Sequence, residues 1–196
     1  MLQVICVSVI VIAMTMLVTR LKQKTPKRLF QCVVWGVFVC YLCGNFYFTL
    51  LSRTIGTGTQ VDLVPFQSYL KLFEKPSSDV TSVSGLAALA LKELMPIEGI
   101  ILNTLLYYPL GYLLPILFPK LKPKHVILIG CLCSIATEAT QYLLKMGWCE
   151  TDDVIHNTLG TAIGVWVWYL QYKRLNKHSV KTSLTGILRK VIRGRV

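Results

Sequence analysis

Long apolar runs, each bounded by charged or turn-forming residues, most strongly constrain what this chain can fold into. An α-helix needs roughly 20 mostly apolar residues to cross about 30 Å of hydrocarbon. The composition agrees, with 54% hydrophobic and only 15% charged residues. Membrane barrels show short alternating segments instead. The sequence therefore predicts an all-α polytopic membrane protein with about five transmembrane helices, at residues 2–19, 29–51, 99–118, 126–144 and 154–172.

The placement of Lys and Arg predicts the orientation of these helices. Short loops rich in basic residues stay on the cytoplasmic side. Of the 21 basic residues, 16 fall in the segments 20–28, 120–124 and 173–195, which share one side of a five-span chain. We therefore expect the N-terminus outside and the C-terminus in the cytoplasm. The formal net charge of +12 is then mostly inner-face charge, which suits anionic membrane lipid and requires no nucleic-acid partner.

The spans divide the chain into three parts: two N-terminal helices (1–51), an outer loop with three helices (52–172) and a basic cytoplasmic tail (173–196). The sequence of this loop predicts an irregular start at 53–60 and a short helix at 84–95. Between them, an apolar piece at 61–79 is expected to lie on the membrane surface or to pack on the bundle. The tail is either an amphipathic helix or a frayed end. Pro109 predicts a kink in the third span, with a discontinuous helix as the alternative.

Six of the seven cysteines fall inside predicted spans, where a thiol behaves as a small apolar side chain. Cys40 and Cys43 have redox or zinc spacing but no second ligand pair, so we expect neither a metal nor a cofactor.

Polar residues of three spans lie at similar depths below the predicted outer surface. Glu138 is roughly 9 Å deep at 1.5 Å per residue, and Asn103 is roughly 8 Å deep. His156 and Asn157 lie roughly 3 to 6 Å inside the fifth span. Ionisable groups within spans usually mark a site or a buried pair. The sequence therefore predicts one polar site that opens outward, formed by Asn103, Ser134, Glu138, Gln141, Asp152, Asp153, His156 and Asn157.

Spacing within the fifth span adds detail to this site. Asp152 lies four residues before His156 and can orient its ring. Gly160 and Gly164 form a GxxxG pair that allows another helix to approach closely.

Two other interpretations of the cluster stay open. Its polar groups can simply fix helix register, with Asp152 and Asp153 favouring the dipole of the fifth helix. Glu138, Asp152, Asp153 and His156 are also suitable ligand types for a divalent metal, although no ligand-spacing motif supports that. Transport is disfavoured because the inner halves of the spans hold few polar residues beyond Gln31.

The ordered segments "VPFQSY", "NTLLYYPLGYLLP", "SIATEATQ" and "CETDDVIHNTLGTAIG" resemble the VanZ-like family of small membrane proteins. The resemblance covers roughly residues 62–167, and many members carry an arginine shortly before the acidic motif, where this chain has Lys145. The family pattern falls on Pro65, Phe66, Asn103, Pro109, Leu110, Gly111, Ser134, Glu138, Gln141, Asp153, Asn157 and Gly160.

This resemblance implies a multi-pass protein of the bacterial plasma membrane that is associated with lower susceptibility to teicoplanin-type glycopeptides. We expect its partners to be membrane lipid and a lipid-linked envelope precursor or a lipoglycopeptide. An intramembrane enzyme acting on a lipid or peptidoglycan precursor is the alternative, with Glu138 or Asp153 as general base and His156 as acid.

Overall fold

The computed structural model describes residues 2–67, 69, 70 and 83–192, without the side chains of residues 59, 83–95 and 176–192. Helix α1 covers Leu2–Lys24 and α2 covers Lys27–Phe46, continued by a π-helical turn at Tyr47–Leu51. Helices α3, α4 and α5 cover Val83–Leu117, Pro123–Leu143 and Thr151–Ile192. The protein is therefore an all-α polytopic membrane protein, as predicted.

Four segments of the described chain are long and apolar enough to cross a membrane: Leu2–Lys24, Lys27–Leu51, Pro96–Leu117 and Pro123–Leu143. They correspond to the first four predicted spans. The fifth predicted span lies within α5, which is helical throughout but is not one of these four. Its first turns carry Asp152, Asp153, His156 and Asn157, which lower its hydropathy.

Helix α3 corrects two expectations about the outer loop and the third span. The helix predicted at 84–95 is not separate, because α3 continues without a break from Val83 to Leu117. Pro96, Pro109 and Pro115 all lie inside this one helix, so the discontinuous alternative is wrong. Membrane helices tolerate such prolines because neighbouring helices and hydroxyl side chains satisfy the freed backbone groups.

Helices α3 and α5 run parallel to each other and form the most extensive contact of the bundle. A Cβ added at Gly160 would overlap the backbone carbonyl of Thr104, and one added at Gly164 would overlap that of Tyr108. The GxxxG pair of α5 therefore allows α3 and α5 to approach each other closely, as the sequence predicted. Helix α4 packs antiparallel on this pair, with Gly130 against the side chain of Thr161.

Helix α1 docks through hydroxyl groups on the half of the bundle that the charge pattern predicts to face the cytoplasm. Thr15 Oγ1 lies 3.2 Å from the hydroxyl of Tyr108, and Thr19 Oγ1 lies 3.2 Å from that of Tyr112. Both Thr19 and Tyr112 also donate to Oε1 of Gln171 on α5. The inner halves thus hold more polar groups than the sequence argument against transport assumed. These groups bond to one another and join three helices, which is a packing role.

Two short strands lie at the opposite end of the bundle. Strand β1 (Gly58–Asp62) pairs in parallel with β2 (Met146–Glu150), with Gly58 opposite Met146 and Asp62 opposite Glu150. The start of the outer loop, residues 53–60, was predicted to be irregular, and this is wrong for residues 58–60, which lie in β1. Pairing with a strand 88 residues further on fixes this segment. The strand pair holds the loop over the outer ends of α4 and α5.

The predicted tail helix begins within α5, which continues as a helix through Ile192. Residues 193–196 of that predicted tail, and residues 68 and 71–82 of the outer loop, lie outside the described part of the chain.

Candidate functional site

The polar residues of α3, α4 and α5 meet in one layer at the end of the bundle that carries the strands. Asn103 Nδ2 donates to Oδ1 of Asp153, which joins α3 to α5. Asn157 Nδ2 donates to Oγ of Ser134 across 2.8 Å, which joins α5 to α4. Ser134 and Asn157 are both buried. These two hydrogen bonds connect all three helices.

Glu138 lies in the same layer but forms its hydrogen bonds with the strand pair. Its Oε2 accepts the backbone N–H of Glu150 at 3.1 Å, and the Cys149 side chain also bonds to it. Glu138 and Asp153 are close enough to interact electrostatically. The carboxylate of Glu138 therefore fixes the end of β2 where the chain enters α5.

Gln141, one turn further along α4, contacts the second span. Its Nε2 donates to the backbone oxygen of Thr49 at 2.9 Å, inside the π-helical turn. Gln141 and Asn157 are both buried, yet neither Gln141 Oε1 nor Asn157 Oδ1 accepts a hydrogen bond from the described residues. Buried amide oxygens are nearly always paired, so these two acceptors are suited to a donor from water or from a bound molecule.

Phe66 and Tyr69, in the described part of the outer loop, contact the start of α5. The backbone N–H of Phe66 donates to Oδ1 of Asp152, and the hydroxyl of Tyr69 lies 2.9 Å from Nε2 of His156. Phe66 has a φ of 66°, which is the left-handed region that a phenylalanine rarely adopts. Such backbone strain persists only where surrounding contacts hold it, and it concentrates at functional sites.

Carboxylates dominate the charge of this layer. Burial, together with the nearby Glu138 and Glu150, raises the pKa of Asp153 to about 7, while Arg53 opposes this shift. Burial likewise raises the pKa of the Cys149 thiol, and the Glu138 carboxylate adds to this effect. The Cys149 thiol is therefore neutral and a poor nucleophile at neutral pH.

Arg53 supplies a positive charge beside the acidic residues of this layer. Its guanidinium acts on both Glu138 and Asp153, and it follows the second span directly. Lys145 is exposed and in a left-handed turn with a φ of 52°. The cationic partner of the acidic site therefore comes from a different part of the chain.

A cavity of about 340 Å³ lies beside Glu138, on the side of α4 that faces β1 and the start of α5. Glu138, Cys149 and Glu150 form its polar part. Its apolar wall comprises Val61, Leu63, Ile135, Ala139, Tyr142 and Val154. Binding sites for small molecules commonly combine such an apolar wall with a few polar groups.

All eight residues predicted for the site lie in this layer or contact it, but they form several separate bonds. Asn103 pairs with Asp153, Asn157 with Ser134, Gln141 with Thr49 and His156 with Tyr69. Tyr69, Arg53, Cys149 and Glu150 were not predicted as site residues. For Arg53 a usable pattern existed, because it directly follows a span on the same side as the acidic residues. Tyr69 has no such pattern, since only the fold of the loop brings it to His156.

No group of three or more His, Cys, Asp or Glu residues in the described part of the chain is arranged to hold a metal ion.

Taken together, the apolar helices, the buried interhelical hydrogen bonds and the polar layer beneath a strand-bearing loop define a helical integral membrane protein. The VanZ/LLP1 family profile matches residues 29–172, well over half of the chain. The protein therefore belongs to the VanZ-like family. No curated protein and no solved structure matches the chain. The matched region begins in α2 and leaves α1 outside it.

Proposed function

We propose that the protein binds the head group of a lipid-linked or lipidated envelope component from the outer face of the bacterial plasma membrane. The observation that carries this proposal is the cavity beside Glu138. Its polar end is formed by Glu138 and Glu150, and its apolar wall is suited to the adjoining part of a lipid. Through this binding the protein lowers susceptibility to teicoplanin-type glycopeptides.

The charge of the layer supports a ligand that brings hydrogen-bond donors. Glu138 and Glu150 line the cavity, Asp153 interacts electrostatically with both, and Arg53 offsets only part of their charge. Ammonium, amide and hydroxyl groups of an envelope precursor would donate to such oxygens. An anionic head group placed directly against Glu138 would be repelled.

A resistance assay tests the proposal in cells. Glu138→Ala removes the carboxylate at the centre of the cavity, and we expect it to abolish the protection against teicoplanin given by the expressed protein. Thr140→Ala is the matched control, because the Thr140 hydroxyl bonds only to the Ala136 carbonyl of its own helix among the described residues. Unchanged protection by Glu138→Ala, at a membrane level equal to that of the control, would refute the proposal.

A binding assay tests the ligand class directly. Purified protein is titrated with a dansyl-labelled, lipid-linked peptidoglycan precursor in detergent micelles, and the dansyl emission is recorded. We expect saturable binding that Glu138→Ala weakens by about tenfold, as loss of one charge-assisted hydrogen bond predicts. Binding of equal strength in both proteins would contradict the assignment of the ligand to this cavity.

One observation favours an intramembrane enzyme as the second candidate. A general base works best when its pKa lies near the operating pH, and burial raises the pKa of Asp153 to about 7. The proposed acid, His156, already has its Nε2 at the hydroxyl of Tyr69. Chromatography of a radiolabelled lipid precursor incubated with the protein decides between binding and turnover. An enzyme converts it and loses conversion in Asp153→Asn, whereas a binding protein returns it intact.

A further inference from the structure

A second cavity, of about 410 Å³, lies on the opposite side of α4, between α4 and α2 with α3 behind it. Its lining is uncharged: Tyr41, Leu42, Cys43, Asn45, Phe46, Thr49, Leu50, Tyr107, Leu110, Cys133 and Thr137. None of these residues belongs to the predicted polar site. The volume falls within the usual range for ligand pockets, about 300–1,000 Å³.

The depth of this cavity matches one leaflet of a bilayer. Thr49 and Leu50 lie at the outer end of the span Lys27–Leu51. Tyr41 is ten residues below that end, roughly 15 Å along the helix axis. Cys133 is likewise ten residues below the outer end of Pro123–Leu143, roughly 15 Å. Half of a hydrocarbon core of about 30 Å is the same length, so the cavity reaches from the outer surface to the bilayer midplane.

The cavity opens sideways, where membrane lipid surrounds the protein. Helices α2 and α4 both pack on α3, and among the described elements the π-helical turn contacts α4 at the outer end. Leu42 is 43% exposed and Phe46 is 53% exposed at this opening. Cys43 and Cys133 are also exposed, on either side of it. A hydrocarbon chain can therefore enter from the leaflet without crossing a polar surface.

The polar groups in the wall already bond within the protein. Asn45 Nδ2 donates to the hydroxyl of Tyr41, and the hydroxyl of Tyr107 lies 3.2 Å from Oγ1 of Thr137. The Thr49 hydroxyl donates to the carbonyl of Asn45. Because these groups have partners, the wall presents ring faces, methyl groups and thiols to whatever enters. Such a wall favours hydrocarbon over a polar head group.

The geometry points to a binding site for one hydrocarbon chain of an outer-leaflet membrane lipid, held between α2 and α4. The π-helical turn forms its upper edge, and π-helical turns are frequent at functional sites. The bond from Gln141 to the Thr49 carbonyl fixes that turn. This site is separated by α4 from the cavity proposed to bind the envelope component, so each can be tested without the other.

Photo-crosslinking of the unmodified protein tests this inference. The protein is placed in vesicles that contain phosphatidylglycerol with a diazirine at the middle of one acyl chain, irradiated, digested and mapped by mass spectrometry. We expect an adduct on Tyr107, which lines the cavity and is only 2% exposed. Adducts confined to outward-facing side chains such as Leu128 and Leu132 would overturn the inference.

A matched pair of substitutions on α2 adds a second test. Cys43→Trp places an indole in the cavity wall, whereas Cys40→Trp places it three residues earlier, outside the lining. Both cysteines are exposed, so neither change disturbs a packed core. We expect the adduct on Tyr107 to disappear in Cys43→Trp and to persist in Cys40→Trp. Equal labelling of Tyr107 in the two variants would mean that the hydrocarbon chain does not occupy this cavity.

Discussion

Asn157 on α5 donates a hydrogen bond to the hydroxyl of Ser134 on α4 across 2.8 Å, where both side chains are buried. The two residues come from separate sequence segments, 23 positions apart, and their bond joins neighbouring helices below the strand pair. The layer in which they meet also contains Asn103 and Asp153. The bond between Asn157 and Ser134 therefore joins α5 to α4, and these two helices carry Val154 and Glu138 of the proposed site.

Ser134→Ala should destabilise the folded protein by about 1 kcal/mol, because interhelical hydrogen bonds in membranes contribute roughly 0.6–2 kcal/mol. The substitution also leaves a buried amide of Asn157 with one partner fewer. Unfolding in mixed micelles with increasing SDS measures the change. Thr140→Ala is the control, since it removes a hydroxyl that bonds within its own helix. Equal effects of the two substitutions would show that the bond between the helices contributes nothing.

Much of this arrangement could be predicted because hydrophobic run length and helical rise act locally along the chain. Asn103, Glu138 and Asn157 were placed at one depth by counting residues from the ends of apolar runs. The strand pair could not be predicted, because Gly58 and Met146 are 88 residues apart in the sequence and only the packing of the helices between them brings them together. The bond of Glu138 to the Glu150 backbone depends on that pairing and was equally inaccessible.

Asp152 also makes a contact that the sequence did not predict. Its spacing to His156 predicted an interaction within one helix turn, and Asp152 does interact electrostatically with His156. The sequence did not predict that Asp152 Oδ1 also accepts the backbone N–H of Phe66. A left-handed phenylalanine is unfavourable locally, so local sequence preference gives no indication of it. The continuity of α3 through Pro96 was also missed, because proline normally marks the end of a helix.

Asp152→Ala should release the loop at Phe66 without unfolding the bundle. Losing a hydrogen bond to a charged acceptor weakens the local structure by about 1.5–3 kcal/mol, so amide exchange at residues 63–67 should accelerate about tenfold or more. Hydrogen-exchange mass spectrometry measures this, with peptides from α4 as the internal reference. Asp152→Asn keeps an acceptor oxygen and should show a smaller change. Identical exchange in the wild type and Asp152→Ala would mean that the bond does not hold the loop.

Asp153 should make the stability of the protein depend on pH. Its pKa in the folded protein is raised from 3.8 to about 7, so the folded state binds more protons than the unfolded state between these values. Stability from this group is therefore greatest below pH 3.8 and declines as the pH rises to about 7, where the decline levels off.

Asp153→Asn removes this titration while keeping an oxygen for Asn103. We expect the variant to gain stability relative to the wild type as the pH is raised from about 5 to about 8, as linkage predicts. Thermal unfolding in detergent at a series of pH values measures the difference. If the unfolding temperatures of the wild type and Asp153→Asn change with pH in parallel, Asp153 does not titrate in this range.

Gly160→Ala should separate α5 from α3, because the new Cβ would meet the carbonyl oxygen of Thr104, which belongs to the rigid backbone of α3. Forcing extra volume into a packed interface typically costs about 1–3 kcal/mol, and a backbone obstacle places this change at the upper end. Unfolding by SDS measures the loss. Gly99→Ala on α3 is the control, since no atom lies within 4 Å of its added Cβ. Because alanine is the better helix former, Gly99→Ala should be neutral or stabilising. A Gly160→Ala protein as stable as this control would mean that the two helices do not approach as closely as their glycines indicate.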